Sequence, residues 1–298
     1  MIACSNCLNL SPLELLSRAL LDGLKAELYL TPKPGLVDLN NSGSHNDLSL
    51  NMMSESIALM RTYLDDICCA LTAGQGWQTL ASLGLQAEAR MLVKTGSNCH
   101  RGGIFLCGLL LIAASRLEDP SDSILLKNSV KEVAAEFFRA KKVINSHGNR
   151  VRAEFPLAGI VTETLSGIPS LFDVFLPALD DTSVKAEYRT FLGMAGLMQV
   201  VNDSTSLHRC GFEGLEFMKK AGQELERIIR NGDDPQSLLL SLDVEFQKMN
   251  LTMGGVADLL GIGLGYANFK ILNSHFCGSV HLNEKDIPLC YPSAHLTA

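Results

Sequence analysis

Residues 12–38 read PLELLSRALLDGLKAELYLTPKPGLVD, and this stretch predicts a helix, its end and an anomaly inside it. Ser11 and Pro12 are typical of a helix start, as the capping residue and the first helical residue. At about 100° per residue, four leucines share one face of this helix, namely Leu13, Leu16, Leu20 and Leu24. Glu27 falls on the same apolar face. The helix should stop before the two prolines of residues 32–35, and an irregular loop should follow.

The anomaly is Glu27, because an unpartnered charge is costly to bury. Capping does not explain it, since a carboxylate in the last turn of a helix opposes the helix dipole. Glu27 therefore needs a partner, either a basic side chain such as Lys33 or a metal ion.

Helical periodicity extends outward over almost the whole chain, and alternating strand patterns are nearly absent. The further predicted helices span roughly residues 48–73, 78–94, 102–118, 122–143, 168–179, 183–200, 210–231, 235–249 and 254–274. In 210–231 the apolar residues, Phe212 among them, repeat every three or four positions, which indicates one buried stripe. We predict an all-α fold, a single compact multi-helix domain over residues 1–272 with an irregular C-terminal tail over 273–298.

Composition narrows the classes of function. The 298 residues include 25 Lys and Arg against 32 Asp and Glu, a formal net charge of −7. This acidic balance argues against binding to nucleic acid or to anionic membranes. The longest apolar run, Ile104 to Ala114, is shorter than the roughly 18–20 residues that cross a bilayer, so we expect a buried helix. Nine cysteines without a pairing pattern fit reduced thiols and a cytoplasmic protein. Only 19% of residues are charged, which favours a homodimer interface.

Polar residues and glycines concentrate in five segments, which lie around Glu27 and residues 32–47, at 96–103, at 147–169, at 203–213 and at 250–258. Three of these place small residues just before an apolar helical run. A helix N-terminus presents unpaired N–H groups, and several such ends around one cavity would hold a polyphosphate. The active site would then be built from helix N-termini and connecting loops. Lys33, Arg101 and Arg209 would add charge-assisted contacts, and the acids of these segments are oxygen ligands of the kind Mg²⁺ prefers.

Each of these features also has a simpler explanation. The Gly102-Gly103 and Gly254-Gly255 pairs fit tight helix starts, and Asn98 is an ordinary N-cap type. Asp258, if it lies in a first helical turn, is favoured there by the dipole without any ligand. The histidines have no zinc-site spacing, so we expect no zinc.

Together, the segments resemble the triphosphoribosyl-dephospho-CoA synthase family over roughly residues 13–270. The resemblance is carried by Glu27, PKPGLVD at 32–38, GSHND at 43–47, NCHRG at 98–102 and NLTMGGVADLL at 250–260. It implies an all-helical enzyme that moves the 5′-triphosphoribosyl group of ATP onto the 2′-hydroxyl of 3′-dephospho-CoA and releases adenine. The product would be the precursor of the prosthetic group of citrate lyase or malonate decarboxylase, with another enzyme loading it onto the acyl-carrier protein.

The implied reaction is a glycosyl transfer, so it needs a carboxylate near the ribosyl cation, a general base and an intact, gripped triphosphate. As catalytic residues we predict Glu27, Glu163, Asp203 and His45. For Mg²⁺, the expected cofactor, we predict Glu27, Asp38, Asp47 and Asp258. The predicted phosphate-binding residues are Lys33, Asn98, His100, Arg101, Gly102, Arg209, Gly254 and Gly255.

The sequence departs from the family pattern at Val161, Thr205 and Cys210, where an arginine, an amide and a glycine are expected. Three alternatives therefore stay open. The chain could be a divergent homologue with another acceptor, a nucleotide-binding protein without catalysis, or a helical metal phosphohydrolase. The lack of a clustered His/Asp motif argues against the hydrolase.

Overall fold

The computed structural model describes residues 10–145 and 159–277, and α-helices make up nearly all of the regular structure in these two ranges. No strand occurs in them, so the predicted all-α fold is confirmed. The helices are α1 (Pro12–Tyr29), α2 (Leu50–Thr72), α3 (Trp77–Thr95), α4 (Arg101–Ala114), α5 (Ser123–Asn145), α6 (Ile160–Leu165), α7 (Leu176–Leu179), α8 (Arg189–Val200), α9 (Ser204–Arg230), α10 (Gln236–Met249) and α11 (Gly254–Cys277). A short π-helix spans Ser170–Phe175, and a 3₁₀ turn spans Ala186–Tyr188.

Helix α1 begins as its sequence predicts. The Ser11 hydroxyl accepts the backbone N–H of Glu14, and the Glu14 carboxylate accepts the backbone N–H of Ser11, which is a complete capping box. The leucine face of α1 is buried, with Leu16, Leu20 and Leu24 at 1% exposure or less. Glu27 lies on this buried face as well.

Helix α1 packs most extensively against α11, and glycines set how closely the two helices approach. A Cβ added at Gly23 would lie 2.3 Å from the Gly261 carbonyl oxygen and 2.3 Å from the Gly265 nitrogen. The two backbones therefore touch at this point. This contact brings the C-terminal turn of α1, with Glu27, beside the N-terminal half of α11, with Asp258.

Helix α4 is buried on all sides from Gly103 to Ala114, apart from the half-buried Phe105. It packs against both α1 and α11 and also contacts α2, α3 and α5. The expectation of a buried helix over Ile104–Ala114 is therefore confirmed. Within residues 10–145 and 159–277, no helix has the length and apolar character to span a membrane.

Helix α9 differs from its predicted form. It begins at Ser204 rather than near 210, because Asp203 caps it, and Gly211 interrupts it with φ 64° and ψ −161°. Phe212, the first residue after this break, is 75% exposed. The prediction of Phe212 on the buried stripe is therefore wrong, because periodicity shows which residues share a face but not whether a neighbouring element covers all of it.

Other boundaries also differ. The helix predicted over 183–200 begins only at Arg189, after the 3₁₀ turn, and the helix predicted over 102–118 ends at Ala114. The predicted helix over 168–179 is a short π-helix followed by the single turn of α7. Helix α11 continues to Cys277, four residues past the predicted start of the tail at 273. Residues 278–298 lie outside the described ranges, so the irregular tail stays a prediction.

Candidate active site

Three of the five polar segments, those around Glu27 and residues 32–47, at 96–103 and at 250–258, meet at a small cavity between α1, α11, the loop after α1 and the start of α4. It is lined by Leu24, Glu27, Leu36, Val37, His45, Leu48, Met53, Cys99, His100, Gly254, Ala257 and Asp258. Its volume is about 70 Å³, room for about two water molecules. Five of the predicted site residues line this cavity: Glu27, His45, His100, Gly254 and Asp258.

The partner of Glu27 is Lys33. The Lys33 ammonium lies 2.5 Å from Glu27 Oε1 and 2.6 Å from the Glu27 carbonyl oxygen. Both side chains are buried, with Lys33 1% and Glu27 4% exposed. Burial raises the pKa of Glu27, and the charge and hydrogen bond of Lys33 oppose that rise. The Lys33 ammonium is therefore paired with Glu27, and its predicted phosphate-binding role stays a prediction that this geometry does not favour.

Asp38 shapes the loop after α1 rather than facing the cavity. Its carboxylate accepts the backbone N–H groups of Lys33, Asn40 and Asn41 at 2.7–3.2 Å. Asp47 is largely exposed, with one oxygen 3.7 Å from His45 Nδ1. Neither residue lines the cavity with Glu27, so their predicted role in binding Mg²⁺ stays a prediction that this geometry does not favour.

Asp258 faces the N-terminus of α4. A Cβ at Gly102 would lie 1.9 Å from Asp258 Oδ2, and one at Gly103 would lie 3.3 Å from Oδ1. The glycine pair thus makes room for a carboxylate of the protein itself at this helix end. Burial raises the pKa of Asp258 well above its ordinary value, with Glu27 and then Asp203 adding to the rise. Asp258 is the fifth residue of α11, so the first-turn explanation does not apply.

Asp203 joins the N-termini of two helices. One carboxylate oxygen accepts the N–H groups of Thr205 and Ser206 at 2.9 Å, and the other accepts that of Val256 at 3.0 Å. The Thr205 hydroxyl in turn accepts the N–H of Gly254 at 2.8 Å. The starts of α9 and α11 are therefore satisfied internally. The N–H groups of Gly254 and Val256 are therefore engaged, which does not favour the phosphate-binding role predicted for Gly254. The role predicted for Gly255 stays a prediction.

His45 is held by two neighbours. Arg209 donates from Nη2 to His45 Nδ1 at 3.2 Å, and His45 Nε2 lies 2.9 Å from the Thr252 hydroxyl. Because arginine only donates, Nδ1 accepts and Nε2 carries the hydrogen. Burial and Arg209 lower the pKa of His45. Arg209 also donates to the Ser44 carbonyl at 2.6 Å, so it fixes the GSHND loop against α9.

His100 lies in the opposite wall, at the residue that precedes α4. Its Nδ1 is 2.6 Å from the hydroxyl of Ser56 on α2. His100 is 3% exposed and Ser56 is fully buried. Burial, followed by the charge of Lys33, lowers the pKa of His100 to about 4. A neutral imidazole cannot bind phosphate through charge, so the predicted phosphate-binding role of His100 is not favoured.

Three predicted residues lie apart from the cavity lining. Asn98 donates to Glu88 at 3.0 Å, and Arg101, at 77% exposure, has its Nε 3.6 Å from the same carboxylate. Glu163 accepts the backbone N–H of Ser170 at 2.8 Å. Their predicted roles stay predictions.

Sequence reasoning missed Ser56 and Asp243. Asp243, on α10, accepts the N–H of Gly35 at 3.0 Å and the Asn41 amide at 2.9 Å, which anchors the loop that carries Lys33. An acid inside the apolar run LLLSLDVEF was the available signal. Ser56 carries no such signal, because a serine in an amphipathic helix is ordinary.

The acids do not form a ready-made metal cluster. Within the described ranges, no group of three or more His, Cys, Asp or Glu residues is placed to hold a metal ion. A Mg²⁺ that bridges phosphates needs only one or two protein carboxylates. Glu27 and Asp258, the two that line the cavity, are the candidates that remain.

Comparison with known proteins agrees with the resemblance. The family model described as CitG, ATP:dephospho-CoA triphosphoribosyl transferase, matches residues 13–275. A probable 2-(5''-triphosphoribosyl)-3'-dephosphocoenzyme-A synthase of Pseudomonas savastanoi pv. phaseolicola is 33% identical over 83% of this chain and 88% of its own length. The protein of the same description from Vibrio cholerae is 29% identical over 78% of this chain and 81% of its own.

A third relative is longer than this chain. The Haemophilus influenzae protein described as Protein CitXG is 27% identical over 82% of this chain, and the match covers 58% of that protein. No solved structure matches the chain.

Proposed function

The chain belongs to the ATP:dephospho-CoA triphosphoribosyl transferase family, and on that premise we propose that it transfers the 5′-triphosphoribosyl group of ATP to the 2′-hydroxyl of 3′-dephospho-CoA and releases adenine. Membership makes the chain a transferase. Its relatives bear the name of this reaction. The observation that carries the proposal is the buried Glu27 in the cavity wall, held by Lys33 and facing the helix that carries Asp258.

The reaction explains why a carboxylate is buried there. The bond from C1′ of ATP to N9 of adenine breaks, the bond from C1′ to the acceptor oxygen forms, and the triphosphate stays intact. Positive charge develops on the ribosyl group as adenine departs, as in other glycosyl transfers. A fixed carboxylate in a site of low dielectric stabilises that charge more effectively than one in water. Burial raises the pKa of Glu27, and Lys33 opposes that rise, so the ion pair favours the charged carboxylate before the substrate arrives.

The cavity holds only part of a nucleotide. At about 70 Å³ it has no room for adenine, ribose and triphosphate together, so only a part of ATP can lie inside it. Arg209 hydrogen-bonds a residue of the cavity wall, and Arg101 follows another. In this proposal the two arginines contact the phosphates outside the cavity, and the carboxylates contact the sugar.

The donor set in the cavity fits Mg²⁺. Asp258 has no cationic partner among the ion pairs of residues 10–145 and 159–277, and its carboxylate and that of Glu27 are hard oxygen donors. A magnesium ion bound there would neutralise part of the triphosphate charge. Asp258 would bind the ion, and the Glu27 carboxylate, which also lines the cavity, would supply a second oxygen ligand.

The proposal extends to the product and its setting. The product would serve as the precursor of the prosthetic group of citrate lyase or malonate decarboxylase, and another enzyme would attach it to the acyl-carrier protein. A cytoplasmic location and a homodimer accompany the proposal as predictions from composition.

Chromatographic detection of free adenine tests the proposal. With ATP, Mg²⁺ and 3′-dephospho-CoA, we expect one adenine for each acceptor consumed, and no release of phosphate. Glu27→Gln should abolish turnover, whereas Asp22→Asn, an exposed acid on the same helix, should leave it unchanged.

Other outcomes point to the alternatives. Binding of ATP with no adenine release would make the chain a nucleotide-binding protein, and release only with another alcohol would make it a divergent transferase. Release of phosphate instead of adenine would indicate a hydrolase. Near-normal turnover by Glu27→Gln would remove Glu27 from the mechanism.

A further inference from the structure

Ser56 and His100 form a buried polar pair that opens onto the cavity. His100 Nδ1 lies 2.6 Å from Ser56 Oγ, and Ser56 Oγ lies 2.7 Å from the Met53 carbonyl oxygen one helical turn earlier. His100 Nε2 has no hydrogen-bond partner among the described residues, and the ring lines the cavity. The Ser56 side of the pair is therefore fixed by the Met53 carbonyl, whereas His100 Nε2 is free to accept a hydrogen bond.

The two short distances fix the hydrogen positions. A serine hydroxyl has one hydrogen, and two oxygens 2.7 Å apart repel each other unless a hydrogen lies between them. Ser56 therefore donates to the Met53 carbonyl. Its remaining contact must then receive a hydrogen from His100 Nδ1, which leaves Nε2 as a bare lone pair on a residue that lines the cavity.

We infer that His100 Nε2 takes the proton from the hydroxyl that attacks C1′, and that Ser56 is the positioning residue that holds the ring in this tautomer. The inference rests on the proposed function. As the C1′–oxygen bond forms, the hydroxyl proton passes to Nε2, and the bonding pair to N9 leaves with adenine. Adenine then takes up one proton, and His100 returns one to solvent or to adenine.

The charge state of His100 agrees with this role. Its pKa, lowered to about 4 by burial and by Lys33, keeps the ring neutral at pH 7, so Nε2 holds no proton before the reaction. As a weak base it takes the proton only as the attacking hydroxyl bonds to C1′ and becomes strongly acidic. The other titratable groups that line the cavity are Glu27 on α1, His45 in the loop, Cys99 beside His100 and Asp258 on α11.

The other predicted bases are already occupied. Asp203 accepts three backbone N–H groups, and Glu163 accepts that of Ser170 and does not line the cavity. His45 is engaged at both ring nitrogens, by Arg209 and by Thr252. Of the two histidines that line the cavity, His100 alone has a ring nitrogen without a hydrogen-bond partner among the described residues.

The first test is His100→Asn, whose amide can still donate to Ser56 but has no atom in place of Nε2. We expect turnover with ATP and 3′-dephospho-CoA to fall by about 10²–10⁴-fold, while the Kd for ATP, measured calorimetrically, changes by less than about threefold. In His100→Gly, added imidazole should restore part of the adenine release. Imidazole should not restore Glu27→Gln, because it cannot replace a carboxylate.

Ser56→Ala tests the positioning role. Loss of the fixed tautomer should lower turnover by about tenfold and change the pH profile of kcat more than KM for ATP. Ser129→Ala is the matched control, because Ser129 is also buried and also donates to a helix carbonyl, that of Ala113, but does not line the cavity. We expect this control to keep full turnover.

Two results would overturn the inference. One is His100→Asn with more than about a third of wild-type turnover, and the other is a loss of turnover fully explained by a weaker Kd for ATP. If the wild-type protein itself releases no adenine with 3′-dephospho-CoA, the proposed function fails and the inference fails with it. Thermal unfolding of each variant separates both results from misfolding.

Discussion

At the scale of single residues, the buried ion pair of Glu27 and Lys33 is the feature most closely tied to function. A buried ion pair contributes little net stability, because the cost of removing both charges from water offsets their attraction. A leucine at position 27 would extend the apolar face of α1 without this cost. The pair is therefore best explained by a need for a fixed negative charge in the cavity.

Removal of one partner of the Glu27–Lys33 pair should reveal the free-energy cost of burying the other charge alone. Lys33→Ala leaves Glu27 buried and unpaired, and we expect a loss of about 3–5 kcal/mol in the free energy of unfolding at pH 8. The loss should be smaller at pH 5, because burial raises the pKa of Glu27 and the unpaired acid can then bind a proton. Urea denaturation at the two pH values measures both effects.

The exposed pair on the same helix is the control. Lys25 lies 3.2 Å from Asp22 at the surface, and Lys25→Ala should cost about 1 kcal/mol or less at either pH. If the two lysine variants lose equal stability, the ion pair at Glu27 is not buried as described.

At the scale of elements, the contact between α1 and α11 decides where the site forms. Sequence patterns predict both helices, but neither pattern indicates that Gly23 meets Gly261 and Gly265. The close approach sets the separation between Glu27 and the segment that carries Asp258. The glycines of this contact therefore act on the site without touching substrate.

Gly23→Ala should disrupt this contact. The new methyl group would meet backbone atoms at 2.3 Å, so the helices must separate. We expect a loss of about 1–3 kcal/mol in the free energy of unfolding, together with reduced turnover. Gly84→Ala on α3 is the control, because a Cβ there meets nothing within 4 Å, and better helix propensity should add up to about 1 kcal/mol. Equal stabilisation by both substitutions would contradict the close packing.

At the scale of the whole molecule, carboxylates of the protein itself occupy the N-terminal ends of three helices. Asp203 serves α9 and α11, and Asp258 faces α4. These acids gather negative charge around the cavity in a chain whose net charge is already −7. A fold that concentrates like charges in its centre gives up stability. In the proposed function these charges would attract a ribosyl cation and a divalent metal.

The loss of stability from these buried carboxylates should depend on pH. The pKa of Asp258 is raised, so folding favours its neutral form. Its contribution to stability is present at low pH and is lost as the pH rises through the raised pKa. In EDTA, Asp258→Asn should therefore be more stable than the wild type at pH 8, with the difference shrinking toward pH 4, while adenine release is lost.

Thermal unfolding across that pH range checks this expectation. Asp65→Asn, an exposed acid on α2, is the control, and it should change stability by less than about 0.5 kcal/mol throughout. A pH-independent gain for Asp258→Asn would show that the wild-type carboxylate is not destabilised.

By itself the sequence determined the helical class, most helix boundaries and the need of Glu27 for a partner. Periodicity, capping and the cost of a buried charge are local properties that residues near in sequence reveal. Only the tertiary structure decided that Gly102 and Gly255 lie against carboxylates of the protein, that Arg209 holds His45, and that Ser56 contacts His100. These contacts join residues 44 to 164 positions apart or lie between different helices, and no local pattern encodes which helix ends will meet.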